Sequence, residues 1–357
     1  MKVLIAGGGT GGHIYIGIAL ARELKRRSET NNFLFVGTRR GLESRIVPQE
    51  GFPLEYIDSA GLKGVGIVKL LRSLRLIPQS LLQSRRHVLN HAPDVVVGVG
   101  GYSSGPVVLV ASWMKKPTLI VEPNAYPGLT NRMLARVVDR AAIALPETAG
   151  YFRGKSVLTG IPVRREFQNV PRRQRRRGEL VVLIYGGSQG SHALNVAVCK
   201  DLQAFKAMTP GLRIIHQTGE NDLAIVQKAY LEAEMDADIR PFLPRIYEDF
   251  AAADLIISRA GASTVAELTV AGKAAVLVPF PGATDDHQTK NARALEKMGA
   301  ARVILQDELI AGRLASEIGR YMDHPEELQN MEAAARRIGK PDAAERIADE
   351  VIRLANA

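Results

Sequence analysis

The stretch VLIAGGGTGGH at residues 3–13 leads from a hydrophobic strand into a glycine-rich turn, and VVLIYGGSQG at residues 181–190 repeats this arrangement. A helix is predicted after each turn, so its first backbone N–H groups have no partner within the helix. The positive end of the helix dipole adds to them and favours phosphate. The two turns therefore predict two nucleotide-fold halves that face one cleft and bind anionic ligands carrying a diphosphate.

Composition narrows the class of protein. The chain has 357 residues, enough for two α/β domains that each bury their own core. Its formal charge of +10 suits nucleic acid, an anionic membrane face or phosphorylated metabolites. The single cysteine, Cys199, excludes an intramolecular disulfide framework and favours a reducing, cytoplasmic setting. We expect no signal peptide and no membrane-spanning run, because the apolar stretches are too short.

Short β-rich runs alternate with longer amphipathic stretches, beginning with KVLIA at residues 2–6 and a helix from about Gly12 to Lys25. This alternation is typical of parallel sheets. The rhythm restarts at ELVVLIYGG, residues 179–187, without repeating the sequence. The predicted fold class is therefore α/β, with two doubly wound, Rossmann-like parallel sheets.

The boundary between the two halves is predicted in residues 159–179, which contain two prolines and a cluster of arginines. We expect one domain over residues 1–163 and a second over residues 164–340. The segment from about 341 to 357 has apolar residues on one helical face, so we expect it to pack back on the first domain.

The first turn fits GxGxxG over residues 7–12, which alone is a weak dinucleotide signal. The next strand ends in Gly37 and Thr38 instead of an acid, which disfavours NAD. Arg39 and Arg40 leave NADP open. Two further glycine-containing loops, GVGGYSSGP at 98–106 and SRAGAST at 258–264, make a purely structural role for all these glycines a poor explanation.

Two side chains near these turns have alternative interpretations. His13 lies in the predicted first helical turn, where an imidazole can accept a proton from a hydroxyl or can simply cap or bind. Glu267 stands three residues after Thr264, so its spacing favours a capping box over a role as acceptor for ribose hydroxyls.

Three charged or apolar segments have alternative interpretations. The triplet Asp236, Ala237 and Asp238 is better explained as a solvated helix end than as a metal site. The arginines at 172, 173, 175, 176 and 177 lack interleaved aromatic residues, which favours a solvated linker face over nucleic-acid binding. The stripe at 62–77, with Trp113 and neighbouring lysines, suits either a core face or an anionic membrane surface.

Taken together, the motifs resemble the MurG family of bacterial glycosyltransferases over nearly the whole chain, in both order and spacing. The motifs are GGTGGH at 8–13, GGYSSGP at 100–106, EPNAYPGLTNR at 122–132, TGIPVR at 159–164, GGSQGSHALN at 186–195, RAGASTVAE at 259–267 and DHQTKNA at 286–292. The resemblance implies a GT-B type fold. It also implies inverting transfer of N-acetylglucosamine from UDP-N-acetylglucosamine to lipid I, the undecaprenyl-pyrophosphoryl-muramyl-pentapeptide, which gives lipid II.

The same resemblance assigns residues to each substrate. On the donor side they are Ser188, Gln189 and Gly190 for the diphosphate with Arg164 and Asn195 nearby, Leu243 for the uracil, Glu267 for the ribose, and His287 and Gln288 for the sugar. On the acceptor side they are Thr10, Gly11, Gly12, His13, Tyr102 and Asn124, with His13 as candidate base and Arg164 and Glu267 completing the catalytic set. Pro123 stands where glutamine is common in the family, so the Asn124 loop is expected to sit differently.

The resemblance also implies partners and a location. The first domain would face the acceptor and the anionic membrane surface, at the cytoplasmic face of the bacterial inner membrane, and the second would bind UDP-N-acetylglucosamine. No cofactor and no nucleic acid is implied, no motif indicates Mg²⁺, and other cell-wall enzymes stay open as partners. The rival interpretations are a UDP-N-acetylglucosamine 2-epimerase, an NADP oxidoreductase and a non-catalytic binding module.

Overall fold

The computed structural model describes residues 1–9, 11–59, 67–176 and 178–357, without the side chains of 67–75. This part of the chain divides into two compact units, Met1–Val163 together with Lys340–Ala357, and Arg164–Gly339. Each unit is built on one sheet whose paired strands run parallel. The predicted class, two Rossmann-like parallel-sheet halves, is therefore confirmed.

The sheet of the first unit is buried at its centre, where Val3, Leu4, Ile5 and Ala6 have no solvent exposure. Among the described residues this sheet contains seven strands, in the order β3-β2-β1-β4-β5-β6-β7. They are β1 (Lys2–Gly7), β2 (Asn32–Gly37), β3 (Leu54–Tyr56), β4 (Val95–Gly100), β5 (Thr118–Glu122), β6 (Arg140–Ile143) and β7 (Ser156–Leu158).

The sheet of the second unit has the order β10-β9-β8-β11-β12-β13 over the residues described. All six residues of its strand β8 are buried, as expected for a parallel strand covered on both faces. The strands are β8 (Leu180–Tyr185), β9 (Leu212–Gln217), β10 (Asp238–Arg240), β11 (Leu255–Ser258), β12 (Ala274–Leu277) and β13 (Ala301–Val303).

Helices connect the strands of both sheets. The helices of the first unit are α1 (Gly11–Arg27), α2 (Glu43–Gln49), α3 (Ile67–His91), α4 (Ser104–Trp113) and α5 (Leu129–Leu134). The helices of the second unit are α6 (His192–Ala207), α7 (Leu223–Glu232), α8 (Ile246–Ala252), α9 (Ala262–Ala271), α10 (His287–Lys297), α11 (Arg313–Asp323) and α12 (Pro325–Ile338). The last helix, α13 (Ala343–Ala355), belongs to the first unit. Short 3₁₀ helices span Pro146–Phe152, Arg165–Asn169, Thr284–Asp286 and Gln306–Glu308.

Helix α13 is fixed to α1 by both apolar and charged contacts. Ile347 and Val351 are fully buried on its inner face. At the rim, Arg27 Nη1 lies 2.5 Å from Asp349 Oδ1, and Arg27 Nη2 donates to the carbonyl of Glu345 at 2.9 Å. The amphipathic pattern of residues 342–354 thus gives a helix whose apolar face is covered within the first unit.

Each sheet reverses its strand order at one point. In the first unit β1 lies between β2 and β4, and in the second β8 lies between β9 and β11. Ligands of open α/β sheets bind outside the carboxyl ends of the strands at such a switch point. The glycine-rich turns follow β1 and β8, so the connectivity alone puts both turns at ligand-binding positions.

Candidate active site

The turn of the first unit joins the end of β1 at Gly7 to the start of α1 at Gly11. Gly8 N donates to the carbonyl of Gly100 at 3.2 Å, so the turn lies directly beside the carboxyl end of β4. Gly11 and Gly12 are in the first turn of α1, where backbone N–H groups lack intrahelical partners. Thr10, predicted to contact the acceptor, lies outside the described residues.

A buried carboxylate supports this turn from beneath. Glu43, only 1% exposed, accepts the N–H of Gly9 at 2.9 Å and the N–H of Thr38 at 2.8 Å. A Cβ added to Gly8 would lie 2.2 Å from Glu43 Cδ, so no other residue fits there without moving the carboxylate. The sequence interpretation missed Glu43; its signal was GTRRGLE at 37–43, a glycine-bounded turn that ends in an acid.

His13 is the third residue of α1 and is partly exposed. Its ring lies against Gly100, where an added Cβ would come within 2.8 Å of both Cδ2 and Nε2. Gly100 has φ +103°, a conformation that other residues rarely adopt. Tyr102 follows two residues later with 55% of its surface exposed. The structure therefore brings the candidate base and the GGYSSGP loop together.

The Asn124 loop is organised by Glu122, the last residue of β5. This buried carboxylate accepts the N–H of Asn124 at 3.0 Å, the side-chain amide of Asn131 at 2.9 Å and the N–H of Gly128 at 3.1 Å. Burial raises the pKa of Glu122 above its ordinary value, although these hydrogen bonds oppose the shift. The N–H of Asn124, directly after Pro123, is directed at this carboxylate. A role of Asn124 in binding the acceptor stays a prediction.

The turn of the second unit joins β8 to α6. Gly186 N donates to the neutral side-chain oxygen of Gln217 at 3.2 Å, while Ser188 and Gln189 are exposed. Gly190 has φ +78°, and a Cβ there would lie 2.1 Å from the carbonyl oxygen of Thr218. The N-cap residue of α6 makes no side-chain cap. The amides at this helix start therefore keep the capacity to bind an anion.

Asn195 braces this turn from inside the unit. It is 2% exposed, and its amide nitrogen donates to the carbonyl of Thr218 at 2.8 Å and to Asp222 at 2.7 Å. Its oxygen lies 3.1 Å from His216 Nε2. Burial lowers the pKa of His216 to about 4, so this ring is neutral at physiological pH. Asn195 is thus fully engaged with protein groups beside the turn.

Glu267 lies inside helix α9, and the capping box predicted from its spacing is wrong. The helix begins at Ala262 with Gly261 as its N-cap residue, so Thr264 and Glu267 are both interior positions. Arg164 Nη2 stands 3.7 Å from Glu267 Oε1, and the guanidinium lies over the ring of Phe167 at 5.0 Å. Burial raises the pKa of Glu267 to about 7, against the opposing charge of Arg164.

The predicted sugar and uracil residues lie on neighbouring segments of the same unit. The side-chain oxygen of Gln288 accepts the N–H groups of Ala260 at 3.2 Å and Phe280 at 3.0 Å. It therefore links the segment that follows β11 to the segment that follows β12. His287 Nδ1 lies 2.6 Å from the carbonyl of Thr284, where α10 begins. Leu243 is 5% exposed and follows β10 by three residues. Their contacts with a ligand stay predictions.

The arginine cluster differs from its prediction. Arg173 Nη1 lies 2.6 Å from Asp254 Oδ2, and Arg175 binds both Asp254 and Glu332; these carboxylates are buried. A solvated linker face is therefore wrong for these two arginines, because they neutralise acids within the second unit. Arg177 lies outside the described residues.

The DxD triplet and the apolar stripe were the candidate metal and membrane features of the sequence. Within the described residues no three His, Cys, Asp or Glu side chains gather as metal ligands, and Asp238 instead pairs with Arg240 at 3.0 Å. The apolar stripe of the sequence lies largely outside the described residues and side chains, but Trp113 is 63% exposed. No helix in the part of the chain described has the length and hydropathy to span a bilayer.

Comparison with known proteins agrees with this geometry. Residues 3–143 match the glycosyltransferase family 28 N-terminal domain, and residues 181–347 match the glycosyltransferase family 28 C-terminal domain. A relative from Anaeromyxobacter sp. (strain Fw109-5) is 49% identical over 351 residues, covering 98% of this chain and 92% of its own. It is named UDP-N-acetylglucosamine–N-acetylmuramyl-(pentapeptide) pyrophosphoryl-undecaprenol N-acetylglucosamine transferase.

Solved structures give the same result. MurG of Acinetobacter baumannii superposes with a TM-score of 0.84 at 30% identity, over 99% of each chain. A UDP-N-acetylglucosamine 2-epimerase of Neisseria meningitidis, 13% identical with a TM-score of 0.68 over 99% of this chain and 100% of its own, shares the fold alone. The chain therefore belongs to glycosyltransferase family 28 and, within it, to the MurG family of N-acetylglucosamine transferases with the GT-B type fold.

Proposed function

We propose that this enzyme transfers N-acetylglucosamine from UDP-N-acetylglucosamine to the C4 hydroxyl of the muramyl sugar of lipid I, with inversion, to form lipid II. Membership of the MurG family supports the reaction. The observation in the structure that carries the proposal is the uncapped start of α6 behind the glycine turn at 186–190. Such a start is suited to a diphosphate because its amides and its dipole both favour negative charge.

The donor is assigned to the second unit. The amides around Ser188, Gln189 and Gly190 would bind the diphosphate, and the exposed guanidinium of Arg164 would neutralise charge on the leaving UDP. Glu267 would accept the ribose hydroxyls from inside its partly buried position. Leu243 would contact the uracil, His287 and Gln288 the sugar, and Asn195 would hold the turn in shape.

The acceptor is assigned to the first unit. The hydroxyl oxygen of the muramyl C4 attacks the anomeric carbon as the bond to UDP breaks, and its proton passes to His13. Gly11 and Gly12 would offer helix-start amides to the lipid diphosphate. Thr10, Tyr102 and Asn124 would complete this side. Preorganised donors that meet the negative charge developing on UDP supply the electrostatic part of the catalysis, with no step that needs a metal.

The first unit is also proposed to meet the membrane. Trp113 is 63% exposed, Met133 65% and Leu82 70%, and Lys115 and Lys116 lie two and three residues after Trp113. Apolar side chains beside lysines suit peripheral contact with anionic lipid headgroups. The proposed location is the cytoplasmic face of the bacterial inner membrane, where the lipid-linked acceptor would be reached.

The deciding experiment measures release of UDP from UDP-N-acetylglucosamine with and without a lipid I analogue. Release that requires the acceptor supports the transferase. Release without acceptor, or none in its presence, contradicts the proposal, and an epimerase would instead form the 2-epimer of the donor sugar.

A further inference from the structure

Tyr185 is the last residue of β8 and immediately precedes the glycine turn of the second unit. It pairs in register with Ser258, the last residue of β11, so it stands at the switch point of the sheet. The side chain is 4% exposed, and its ring lies 6.0 Å from that of Phe250. Phe250 in turn packs on Phe167 at 5.0 Å, the ring beneath the Arg164 guanidinium.

The hydroxyl of Tyr185 is buried and has no hydrogen-bond partner among the described residues. The hydroxyls of Ser258 and Thr264 lie near it. Ser258 instead donates to the carbonyl of Arg259 at 3.2 Å. A buried donor without a partner costs about 1–3 kcal/mol and calls for an explanation in each case.

Helix α9 carries a candidate acceptor for the Tyr185 hydroxyl. Thr264 and Glu267 are three residues apart, so they lie on the same face of the helix, one turn from each other. Because the Thr264 hydroxyl is near Tyr185, this face is directed at the phenol. Of the charged groups around Tyr185, Glu267 acts on it most strongly.

The carboxylate of Glu267 is an acceptor for which the Tyr185 hydroxyl is a suitable hydrogen-bond donor. Its ion pair with Arg164 spans 3.7 Å, longer than an ordinary hydrogen bond. A carboxylate has about four lone-pair sites, so one donor from the protein leaves the rest for ligand hydroxyls. The Tyr185 hydroxyl thus has a proton to donate, and the Glu267 carboxylate has lone pairs to accept it.

We propose that Tyr185 is a positioning residue: when UDP binds, its hydroxyl donates to one Glu267 oxygen and orients the carboxylate toward the ribose hydroxyls. This inference rests on the proposed function, because it takes Glu267 as the ribose acceptor. Tyr185 itself touches neither ribose nor diphosphate in this scheme.

The other charges around α9 have partners of their own. His287 Nδ1 lies 2.6 Å from the carbonyl of Thr284, and Lys290 Nζ donates to the carbonyl of Asp285 at 3.0 Å. At the far end of α9, Arg336 pairs with Glu332 at 3.3 Å. The exposed Arg165 and Glu166 lie in the 3₁₀ helix beside Arg164. Arg164 is the charge that lowers the pKa of Glu267. We therefore expect none of these other groups to replace the hydrogen bond that the Y185F variant would lose.

The test is the pH dependence of UDP binding by the full chain, measured by titration calorimetry between pH 5.5 and 8.5. A hydrogen bond to the ionised carboxylate lowers its pKa. In Y185F the acid-side loss of UDP affinity should therefore move upward by about half to one pH unit. Affinity at pH 7 should fall about three- to tenfold. The melting temperature should be unchanged or higher, because the variant removes an unpartnered donor.

Two further variants separate the possible causes. Y321F removes another buried tyrosine hydroxyl of the same unit, which donates to Glu317 at 2.9 Å on α11, and should leave the UDP profile unchanged. In an E267Q background, Y185F should have no further effect on UDP binding, because the two residues act as one unit.

The outcomes are distinct. An unshifted Y185F profile, an equal loss of affinity at every pH, or an additive effect in E267Q would each overturn the role of Tyr185 while leaving UDP binding intact. If the wild-type chain does not bind UDP, the proposed function itself fails.

Discussion

The two glycine-rich turns look alike in sequence, yet they stand on different supports. Beneath the first lies the carboxylate of Glu43, which accepts the Gly9 N–H at 2.9 Å. Beneath the second lies the neutral amide of Gln217, which accepts the Gly186 N–H at 3.2 Å. One turn is therefore fixed by a buried negative charge and the other by a neutral group.

This difference separates two kinds of glycine turn that a motif cannot distinguish. A carboxylate a few ångströms from a phosphate repels it, and a partly buried site screens that repulsion weakly. The first turn has also committed its Gly9 amide to Glu43. We infer that Glu43 holds α1 and His13 in place and directs a phosphate away from the Gly9 amide, toward the helix-start amides of Gly11 and Gly12. The second turn offers its own amides to the donor diphosphate.

The largest effect that follows is on the chemical step. H13A should lower kcat about 100- to 10,000-fold, the usual range for loss of a general base, with UDP affinity unchanged. H324A makes the matched change at the N-cap of α12, where the ring is 59% exposed and lies 3.3 Å from Glu326. It should leave kcat within a few-fold. The measurement is steady-state transfer to a lipid I analogue; a rise in KM alone for H13A would make His13 a binding residue.

The next largest effect is on the support of the first turn. E43Q should destabilise the first unit by about 2–3 kcal/mol, because an amide N–H would then face the N–H of either Gly9 or Thr38. The single tryptophan, Trp113, lies in this unit, so its fluorescence during urea unfolding reports the change. E55Q, at an exposed position of β3, is the control. Equal midpoints for the two variants would mean that the carboxylate does not support the turn.

The fold could be predicted from the sequence to a large extent, because buried parallel strands give long apolar runs followed by glycine turns. The strands β3, β6, β7 and β13 are harder to recognise, because they have only three or four residues at or near the sheet edges. Strands this short have too few residues for a periodic signal. Their pairing is decided by the neighbouring strand and not by their own sequence.

The residues of the site could be predicted only where they belong to a recognisable sequence motif. His13 beside Gly100 and Glu267 beside Arg164 join residues distant in sequence, which spacing alone could not pair. The capping box failed because helix α9 begins at Ala262, two residues before the threonine taken as its cap. Glu43 was missed because its partners are backbone N–H groups, which leave no trace in side-chain motifs.

A smaller effect concerns donor affinity. E267Q should weaken UDP binding about ten- to 150-fold at pH 8, since hydrogen bonds to a charged acceptor contribute about 1.5–3 kcal/mol. E232Q, at a 67% exposed position of α7, is the matched control. Titration calorimetry with UDP checks both variants. Equal affinities for E267Q and wild type would remove Glu267 from the donor site and leave the glycine turn as the remaining candidate.

The smallest effect contrasts the two buried carboxylates directly. Glu43 accepts two backbone N–H groups, whereas the carboxylate of Glu267 lies 3.7 Å from Arg164, and burial raises its pKa to about 7. The unfolded value is near 4.5. Between these values the folded chain holds a proton that the unfolded chain releases, so stability falls as pH rises through this window.

E267Q removes that titration. Below about pH 4.5 it should match wild type, and at pH 8 it should be more stable by about 1–2 kcal/mol, after allowance for the 18% of the side chain that is exposed. The same Glu→Gln change would thus destabilise the first unit and stabilise the second. Melting temperatures measured by calorimetry at pH 5, 6.5 and 8 test this; a difference that does not grow with pH would show that Glu267 is already ionised at no cost.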